Sequence, residues 1–217
     1  MDAIVMAAGE GRRLRPITER WPKPILPIDG RAVVATLVRQ LRTEGLGPIT
    51  VVTGHLAEQV EELLAGLDVR FARQPEPDGS ADAVRRALAA GAKVPALVCG
   101  ADTVFQPGDL AAVAGAAGDG AIGYRSHPRM PRIELSDGLV LRVVSPNPDL
   151  PWTPAPLWLL TERIELDDLP GPPYELAAAF QRSIDAGMSI TAVEIRPTRD
   201  LTEPVDLVRE NFPYLGG

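Results

Sequence analysis

Cysteine, histidine and long apolar runs are scarce in this chain, and each shortage excludes a class of protein. The single cysteine, Cys99, cannot form an internal disulfide, and its place in an apolar run predicts core packing in a reducing compartment. One cysteine and two histidines do not make the usual ligand set of a zinc site. No apolar run reaches the roughly 18 residues that a membrane-spanning helix needs. The sequence therefore argues against disulfide-stabilised, zinc-centred and membrane-spanning proteins.

Positive charge is also in short supply. The formal net charge is −7, from 22 lysines and arginines against 29 aspartates and glutamates, which disfavours non-specific binding to nucleic acid. The N-terminus leads directly into an apolar segment with no basic region before it, so no signal peptide is expected and a cytoplasmic location is predicted. We expect no nucleic-acid partner and no membrane partner, and the sequence carries no signal for an oligomeric state.

Apolar runs and helical periodicities alternate along the first half of the 217 residues. The patterns predict strands at 3–8, 49–53, 69–72 and 96–99 and helices at 31–44, 56–64 and 81–90. This alternation predicts a single α/β, Rossmann-like domain with a mostly parallel sheet and helices on both faces. Ligands of such sheets bind beyond the carboxyl ends of the strands.

The second half is less regular. The patterns predict strands at 121–124, 132–135, 139–144, 157–160 and 190–195 and helices at 174–186 and 203–210. A turn at 136–138 joins two of these strands into a small antiparallel insertion. Residues 145–156 are rich in proline, so they are predicted not to form a central strand.

A glycine loop follows the first predicted strand. It contains Gly9 and Gly11, then Arg13, and it continues to Lys23 between two prolines. Glycines let backbone N–H groups turn toward a phosphate, and the two cations add fixed positive charge at the same place. The loop is therefore suited to hold a nucleoside triphosphate while its phosphorus is attacked.

The same segment resembles the signature of the sugar-phosphate nucleotidyltransferases, A-G-x-G-x-R-L-x-P-x-T followed by P-K-P-x-x-P, here at residues 8–18 and 22–27. The resemblance implies attack by an acceptor phosphate on the α-phosphorus of an NTP, with release of pyrophosphate. It also implies roles for five residues: Ala8, Gly9 and Gly11 in nucleotide binding, and Arg13 and Lys23 as catalytic cations. The attacking phosphate is ionised at neutral pH, so positioning and charge neutralisation suffice without a general base.

Residues 74–83, Gln-Pro-Glu-Pro-Asp-Gly-Ser-Ala-Asp-Ala, resemble the base-recognition loop of the glucose-1-phosphate thymidylyltransferases. The resemblance implies that Gln74 binds the pyrimidine edge and that the Gly79 backbone touches the base. Ser80 opens the next helix, whose N-terminus favours phosphate. An amide suits a uracil or thymine edge, which favours dTTP or UTP, but an amide that can flip leaves cytosine open.

Two carboxylates are candidates for a Mg²⁺ site. Asp102 follows the strand at 96–99, and the resemblance implies a metal-binding G-x-D there; carboxylate oxygens are the ligands this hard ion prefers. The second ligand is expected after the last strand, where Asp200 begins the segment D-L-T-E-P-V-D-L. Asp206, later in that segment, is expected to lie in the last helix and face solvent.

The acceptor side departs from the family pattern. Family members acting on sugar phosphates carry E-K-P after the central hairpin, whereas residues 145–148 here are Ser-Pro-Asn-Pro. Glu175, in Tyr-Glu-Leu, still resembles the family's acceptor-binding glutamate. Four arginines are candidates for the missing positive charge, and the sequence does not choose among them: Arg125, Arg129, Arg132 and Arg142.

The resemblance divides the single domain, residues 1–217, into a nucleotide-binding half at 1–118 and an acceptor and second-metal half at 119–217. The favoured function is nucleotidyl transfer from dTTP or UTP to a sugar-1-phosphate. The short length and the missing E-K-P favour an alternative, cytidylyl transfer to a small phosphorylated alcohol or phosphonate such as phosphocholine. A third hypothesis is a nucleotide-sensing domain without catalysis, against which the intact charged positions argue.

Overall fold

Alternating apolar strands and amphipathic helices build a sheet covered on both faces. The computed structural model describes residues 1–127 and 131–212. The strands are β1 (Asp2–Ala7), β2 (Pro27–Ile28), β3 (Arg31–Ala32), β4 (Ile49–Thr53), β5 (Arg70–Arg73), β6 (Ala96–Gly100), β7 (Thr103–Val104), β8 (Gly120–Ser126), β9 (Arg132–Ser136), β10 (Leu139–Ser145), β11 (Trp152–Leu160), β12 (Ile190–Glu194) and β13 (Arg199–Asp200). The α-helices are α1 (Val33–Thr43), α2 (Ala57–Leu64), α3 (Ser80–Ala89), α4 (Asp109–Ala114), α5 (Leu176–Asp185) and α6 (Pro204–Asn211). Short 3₁₀ helices span Arg12–Leu14, Ile17–Glu19 and Lys23–Ile25.

The main sheet contains nine strands within these described residues, in the order β5-β4-β1-β6-β11-β8-β12-β10-β9. The pairs β5/β4, β4/β1, β1/β6 and β8/β12 are parallel. The strand β11 runs antiparallel to both of its neighbours, and β10 runs antiparallel to β12 and β9. The predicted α/β, Rossmann-like fold is confirmed. The sheet is mixed, and its parallel strands β5, β4, β1 and β6 form one continuous block.

The proline-rich segment corrects one prediction. Residues 152–156 belong to β11, which lies in the middle of the sheet, so the expectation that 145–156 forms no central strand is wrong in its second half. Pro154 pairs with β8 directly before an irregularity that ends at Trp158, and β6 pairs only with residues 157–160. The prolines therefore lie at a break in one ladder and beyond the end of the other, where a missing N–H costs little.

Two apolar layers cover the sheet. Because successive side chains of a strand point to opposite faces, Val5 packs with α1, α2 and α4, while its neighbour Ile4 packs with α3 and α5. Both are fully buried, and full burial of such a side chain contributes about 1.5–3 kcal/mol. None of the helices in residues 1–127 and 131–212 is long and apolar enough to cross a membrane.

A third, smaller cluster fixes the glycine loop against the last helix. Leu14 and Leu26 of the loop region pack with Leu201, which precedes α6. That helix begins with a capping box between Glu203 and Asp206, and Asp206 also accepts from the N–H of Thr202 at 2.8 Å. Asp206 is 4% exposed, so the expectation that it faces solvent is wrong: it holds the start of α6 instead.

Candidate functional site

The carboxyl ends of β1 and β6 border a cavity of about 430 Å³. Ligands of doubly wound sheets bind at such ends. The lining includes ten of the residues predicted from the sequence: Ala8, Gly9, Gly11, Arg13, Lys23, Gln74, Gly79, Ser80, Asp102 and Glu175. Asp200, the remaining predicted residue, does not line the cavity and lies behind it. The fold thus gathers the glycine loop, the base loop and one predicted metal ligand around a single space.

The glycine loop is shaped by Gly11, whose φ of 62° lies in the left-handed region. A Cβ there would meet Thr18 Cγ2 at 2.9 Å, and the Thr18 hydroxyl donates to the Gly11 carbonyl at 3.0 Å. These contacts leave no room for a side chain and fold the loop back on itself. The loop therefore needs glycine at this position to turn its backbone toward the cavity.

The two neighbouring arginines of the loop differ in their partners. Arg12 donates to the Glu10 carboxylate, whereas no hydrogen bond or ion pair to Arg13 occurs among the described residues. Arg13 is exposed and lines the cavity. Arg12 lines the cavity as well, but only Arg13 has no competing carboxylate among the described residues, so it is the more available cation for phosphate.

Lys23 and Asp102 form an ion pair at the floor of the site. Lys23 Nζ donates to Asp102 Oδ2, and the two side chains are 13% and 34% exposed. Burial raises the pKa of Asp102, but the charge and hydrogen bond of Lys23 outweigh it, so this pKa lies below its ordinary value. The carboxylate is therefore ionised at neutral pH, as a metal ligand must be.

Asp200 is joined to Asp102 through one hydroxyl. Thr103 Oγ1 donates to Asp200 Oδ1 at 2.8 Å and lies 3.2 Å from Asp102 Oδ1, because β7 and β13 pair Thr103 with Asp200. The other oxygen of Asp200 accepts from Thr198 Oγ1 at 2.7 Å and from Arg125 Nη2 at 2.8 Å. Each predicted metal carboxylate thus has its own cation, Lys23 for one and Arg125 for the other.

The donor set fits a hard divalent cation. Two carboxylates that share one bridging hydroxyl offer oxygen ligands, and no group of three histidine, cysteine or acidic side chains able to hold a metal occurs in residues 1–127 and 131–212. Mg²⁺ is commonly held by one or two carboxylates together with water and substrate phosphates. Asp102 lines the cavity and suits such a role, whereas Asp200 lies outside the lining and has both oxygens hydrogen-bonded in the protein alone.

The base loop is held rigidly by Gln74 and Gly79. Gln74 is 5% exposed, and its Nε2 donates to the Gly79 carbonyl and to Asp82 Oδ2, both at 2.9 Å. Gly79 has a φ of 101°, and a Cβ there would lie 2.4 Å from the Tyr174 carbonyl oxygen. No pattern in the sequence marks Asp82, because an aspartate four residues before Arg86 is typical of a solvated helix surface.

The base loop is also bonded to the segment that carries Glu175. Tyr174 N donates to the Asp78 carbonyl at 2.6 Å, and Ala81 N donates to the Tyr174 carbonyl at 2.8 Å. Ser80 Oγ donates to Glu175 Oε2 at 2.6 Å and accepts from Leu176 N at 2.8 Å. The residue expected at the nucleotide and the residue expected at the acceptor therefore touch each other.

The structure separates the four candidate arginines. Arg125 is buried beside Asp200, and its Nε and Nη1 are buried without a hydrogen-bond partner in the described part of the chain. Arg132 donates to the His127 carbonyl, and Arg142 is 54% exposed near Glu134. Arg129 lies outside the described residues. Among the described arginines, Arg125 is the one that reaches the predicted metal carboxylates.

Residues 3–163 match the model of the MobA-like NTP transferase domain. The chain belongs to this family. The matched segment contains the glycine loop, the base loop and Asp102, whereas Glu175 and Asp200 lie beyond its end. The family that the sequence signature indicated is thereby confirmed, and nucleotidyltransferases of this family generally use a divalent metal ion.

The similar proteins differ in length and in the names they carry. The bifunctional protein GlmU of Burkholderia vietnamiensis (strain G4 / LMG 22486) is 40% identical over 88 residues, which are 41% of this chain and 19% of that protein. This chain therefore matches about one fifth of the length of such relatives. The inositol-1-phosphate CTP transferase from T. maritima has a TM-score of 0.82 at 17% identity, covering 94% of this chain and 90% of the other. A putative glucose-1-phosphate thymidylyltransferase from Bacillus anthracis, in complex with a sucrose, also reaches 0.82, at 18% identity over 97% and 94%. These two structures share the fold.

Proposed function

We propose that this protein transfers a nucleoside monophosphate from an NTP, preferably dTTP or UTP, to a sugar-1-phosphate and releases pyrophosphate. The observation that carries the proposal is the single cavity lined by the glycine loop, Arg13, Lys23, Gln74 and Asp102. Family membership supports the reaction class, because the matched segment includes all five of these features. The preferred base rests on the sequence of residues 74–79.

The reaction is an in-line substitution at the α-phosphorus. A phosphate oxygen of the acceptor attacks, a new P–O bond forms, and the bond to the β-phosphate oxygen breaks to release pyrophosphate. Both cations line the cavity. We assign neutralisation of the α-phosphate region to Lys23 and neutralisation of the departing pyrophosphate to Arg13. Fixed charges of this kind stabilise the transition state without reorganising during the reaction.

Asp102 and Asp200 are proposed to hold Mg²⁺. When bound, the ion supplies charge neutralisation on the triphosphate oxygens. In the protein alone, Lys23 and Arg125 balance the two carboxylates. Removing either carboxylate by substitution with alanine is expected to lower turnover about a hundredfold or more.

The acceptor is proposed to bind at Glu175, which is exposed at the cavity wall and offers a carboxylate to sugar hydroxyls. A phosphate in a cleft needs a paired cation. Arg125 has two buried donors without partners in the described part of the chain, but it is 6% exposed and does not line the cavity, so its charge would act on the site through Asp200.

A second candidate function is cytidylyl transfer to a phosphorylated alcohol or polyol. The absence of Glu and Lys at 145–148 favours it. A third possibility, nucleotide sensing without transfer, is opposed by the free guanidinium of Arg13 and the ionised Asp102.

One experiment separates these functions. The protein is incubated with Mg²⁺, each of five triphosphates (ATP, GTP, CTP, UTP and dTTP) and a panel of sugar-1-phosphates, inositol phosphate and phosphocholine, and pyrophosphate is measured. Release with UTP or dTTP and a sugar-1-phosphate supports the proposal. Release only with CTP and a phosphorylated alcohol supports the second candidate, and nucleotide binding without release for every acceptor contradicts both.

A further inference from the structure

Asp82 is a buried carboxylate near the end of the base loop. It lies in the first turn of α3 and is 8% exposed. Its Oδ2 accepts from Gln74 Nε2 at 2.9 Å and from Arg86 Nε at 3.3 Å, and Arg85 Nη2 lies 4.0 Å from Oδ1. Two arginines on the same helix therefore lie beside it. Asp82 does not line the cavity, so its contact with the site runs through Gln74.

The neighbours of Gln74 allow only one orientation of its amide. An amide nitrogen carries two hydrogens, and here both point at oxygens that accept and cannot donate, the Gly79 carbonyl and the Asp82 carboxylate. A flipped amide would place its own oxygen 2.9 Å from these two acceptors and lose both hydrogen bonds. Gln74 Oε1 has no hydrogen-bond partner among the described residues, and Gln74 lines the cavity.

We propose that Asp82 is a positioning residue that determines base choice by holding Gln74 as a hydrogen-bond acceptor only. This inference rests on the proposed function, in which Gln74 meets the base. Uracil and thymine carry an N–H at ring position 3, which donates to Gln74 Oε1. Cytosine carries a bare nitrogen there, so two acceptors face each other and one buried partner is lost. For pyrimidines bound in this pose, the site therefore favours a base that presents a ring N–H and disfavours cytosine.

The first test uses the protein as it is. Calorimetric titration compares UTP with CTP and with N3-methyl-UTP, which keeps both carbonyl groups of uracil and lacks the N–H. CTP and N3-methyl-UTP each leave Gln74 Oε1 without a donor. Each should therefore bind about tenfold to a hundredfold more weakly than UTP. Equal affinities for UTP and N3-methyl-UTP would overturn the proposal, because the amide oxygen would then not be reading the ring N–H.

The second test changes the neighbour of Gln74. Asp82→Asn keeps the size of the side chain and can donate to a flipped Gln74, so the preference for UTP over CTP should fall about tenfold. Asp68→Asn removes the same charge at an exposed position outside the base loop and the cavity lining, and it should leave the preference unchanged. A folded Asp82→Asn protein that keeps the full UTP preference would refute the role of Asp82.

A third variant covers the case in which Asp82→Asn does not fold. Asp82→Ala leaves the Gly79 carbonyl as the remaining acceptor for Gln74, and the UTP preference should again decline. If neither variant folds, equal affinities of the unaltered protein for UTP and N3-methyl-UTP would still overturn the inference. Pyrophosphate assays distinguish this inference from the proposed function. Selective UTP binding without transfer would contradict the transfer reaction alone, whereas transfer with equal use of CTP and UTP would contradict the base preference and the role of Asp82 but leave the transfer reaction standing.

Discussion

Replacing Arg125 by glutamine should destabilise the fold by leaving Asp200 without its counter-charge. Arg125 Nη2 lies 2.8 Å from Asp200 Oδ2, and the two side chains are 7% and 12% exposed, so water cannot take over the role of the cation. Removing one partner of a buried pair costs about 3–5 kcal/mol. The hydroxyls of Thr103 and Thr198 still donate to Asp200, so we expect a loss at the lower end, about 3 kcal/mol.

Equilibrium unfolding in urea at neutral pH, with a chelator present, measures this loss as a change in midpoint at constant slope. Arg125→Gln combined with Asp200→Asn removes both charges and should recover most of the stability. Arg142→Gln is the matched control, because that arginine is 54% exposed and lies 3.8 Å from Glu134. Its substitution should change stability by less than about 0.5 kcal/mol.

Two results would refute the reasoning. If Arg125→Gln lowers the free energy of unfolding by less than about 1 kcal/mol, then removing Arg125 does not leave the Asp200 carboxylate as an uncompensated buried charge. A double variant less stable than the single variant would mean that Asp200 is stabilised by something other than Arg125. Mg²⁺ adds an independent measurement, since an ion bound at Asp200 should stabilise Arg125→Gln more than the unaltered protein.

Three further predictions concern single residues. Arg13→Ala should slow pyrophosphate release more than Arg12→Ala, because Arg12 is held by a neighbouring glutamate; equal losses in steady-state rates would contradict this. The stability advantage of the unaltered protein over Asp102→Asn should be complete at neutral pH and decline in acid. The pKa of Asp102 is lowered in the folded state, so protonation as the pH falls through that value favours unfolding; a pH-independent difference in urea midpoints would contradict the assignment. Gly79→Ala should lower the melting temperature, since its Cβ would lie 2.4 Å from a backbone oxygen, whereas Gly66→Ala, with nothing within 4 Å, should be nearly neutral in the same thermal scan.

The sequence predicts those parts of the fold that follow from local pattern. The apolar run 49–53 coincides with β4, and the predicted helix at 81–90 overlaps α3. These segments are recognisable because a strand or helix face repeats at a fixed spacing. The sequence does not predict the central position of β11. A proline is excluded from a central strand only where its missing N–H would remove a ladder hydrogen bond, and that depends on where the neighbouring strands end.

The candidate site divides in the same way. Glycines and cations at fixed spacing, such as Gly11 and Lys23, are visible as a motif, and the cavity contains them. The contact of Arg125 is not visible in the sequence, because it joins Arg125 to Asp200 in a remote element. The contact of Asp82 is not visible either, because the sequence around this buried carboxylate is that of a solvated helix surface. The expectation that Asp206 is exposed to solvent fails because a capping carboxylate and an exposed one look alike in sequence.

Hydrogen bonds connect the base loop to the segment before α5. They would couple the choice of nucleotide base to the choice of acceptor. Tyr174 is bonded to the base loop on both its N–H and its carbonyl, and Ser80 is bonded to Glu175. A variant selected for a new acceptor by changes around Glu175 will displace the loop that carries Gln74. Because coupling between two binding sites is reciprocal, the factor by which a bound nucleotide changes acceptor affinity equals the factor by which a bound acceptor changes nucleotide affinity. We therefore expect a change in the preferred base to be accompanied by a change in the preferred acceptor, and the reverse.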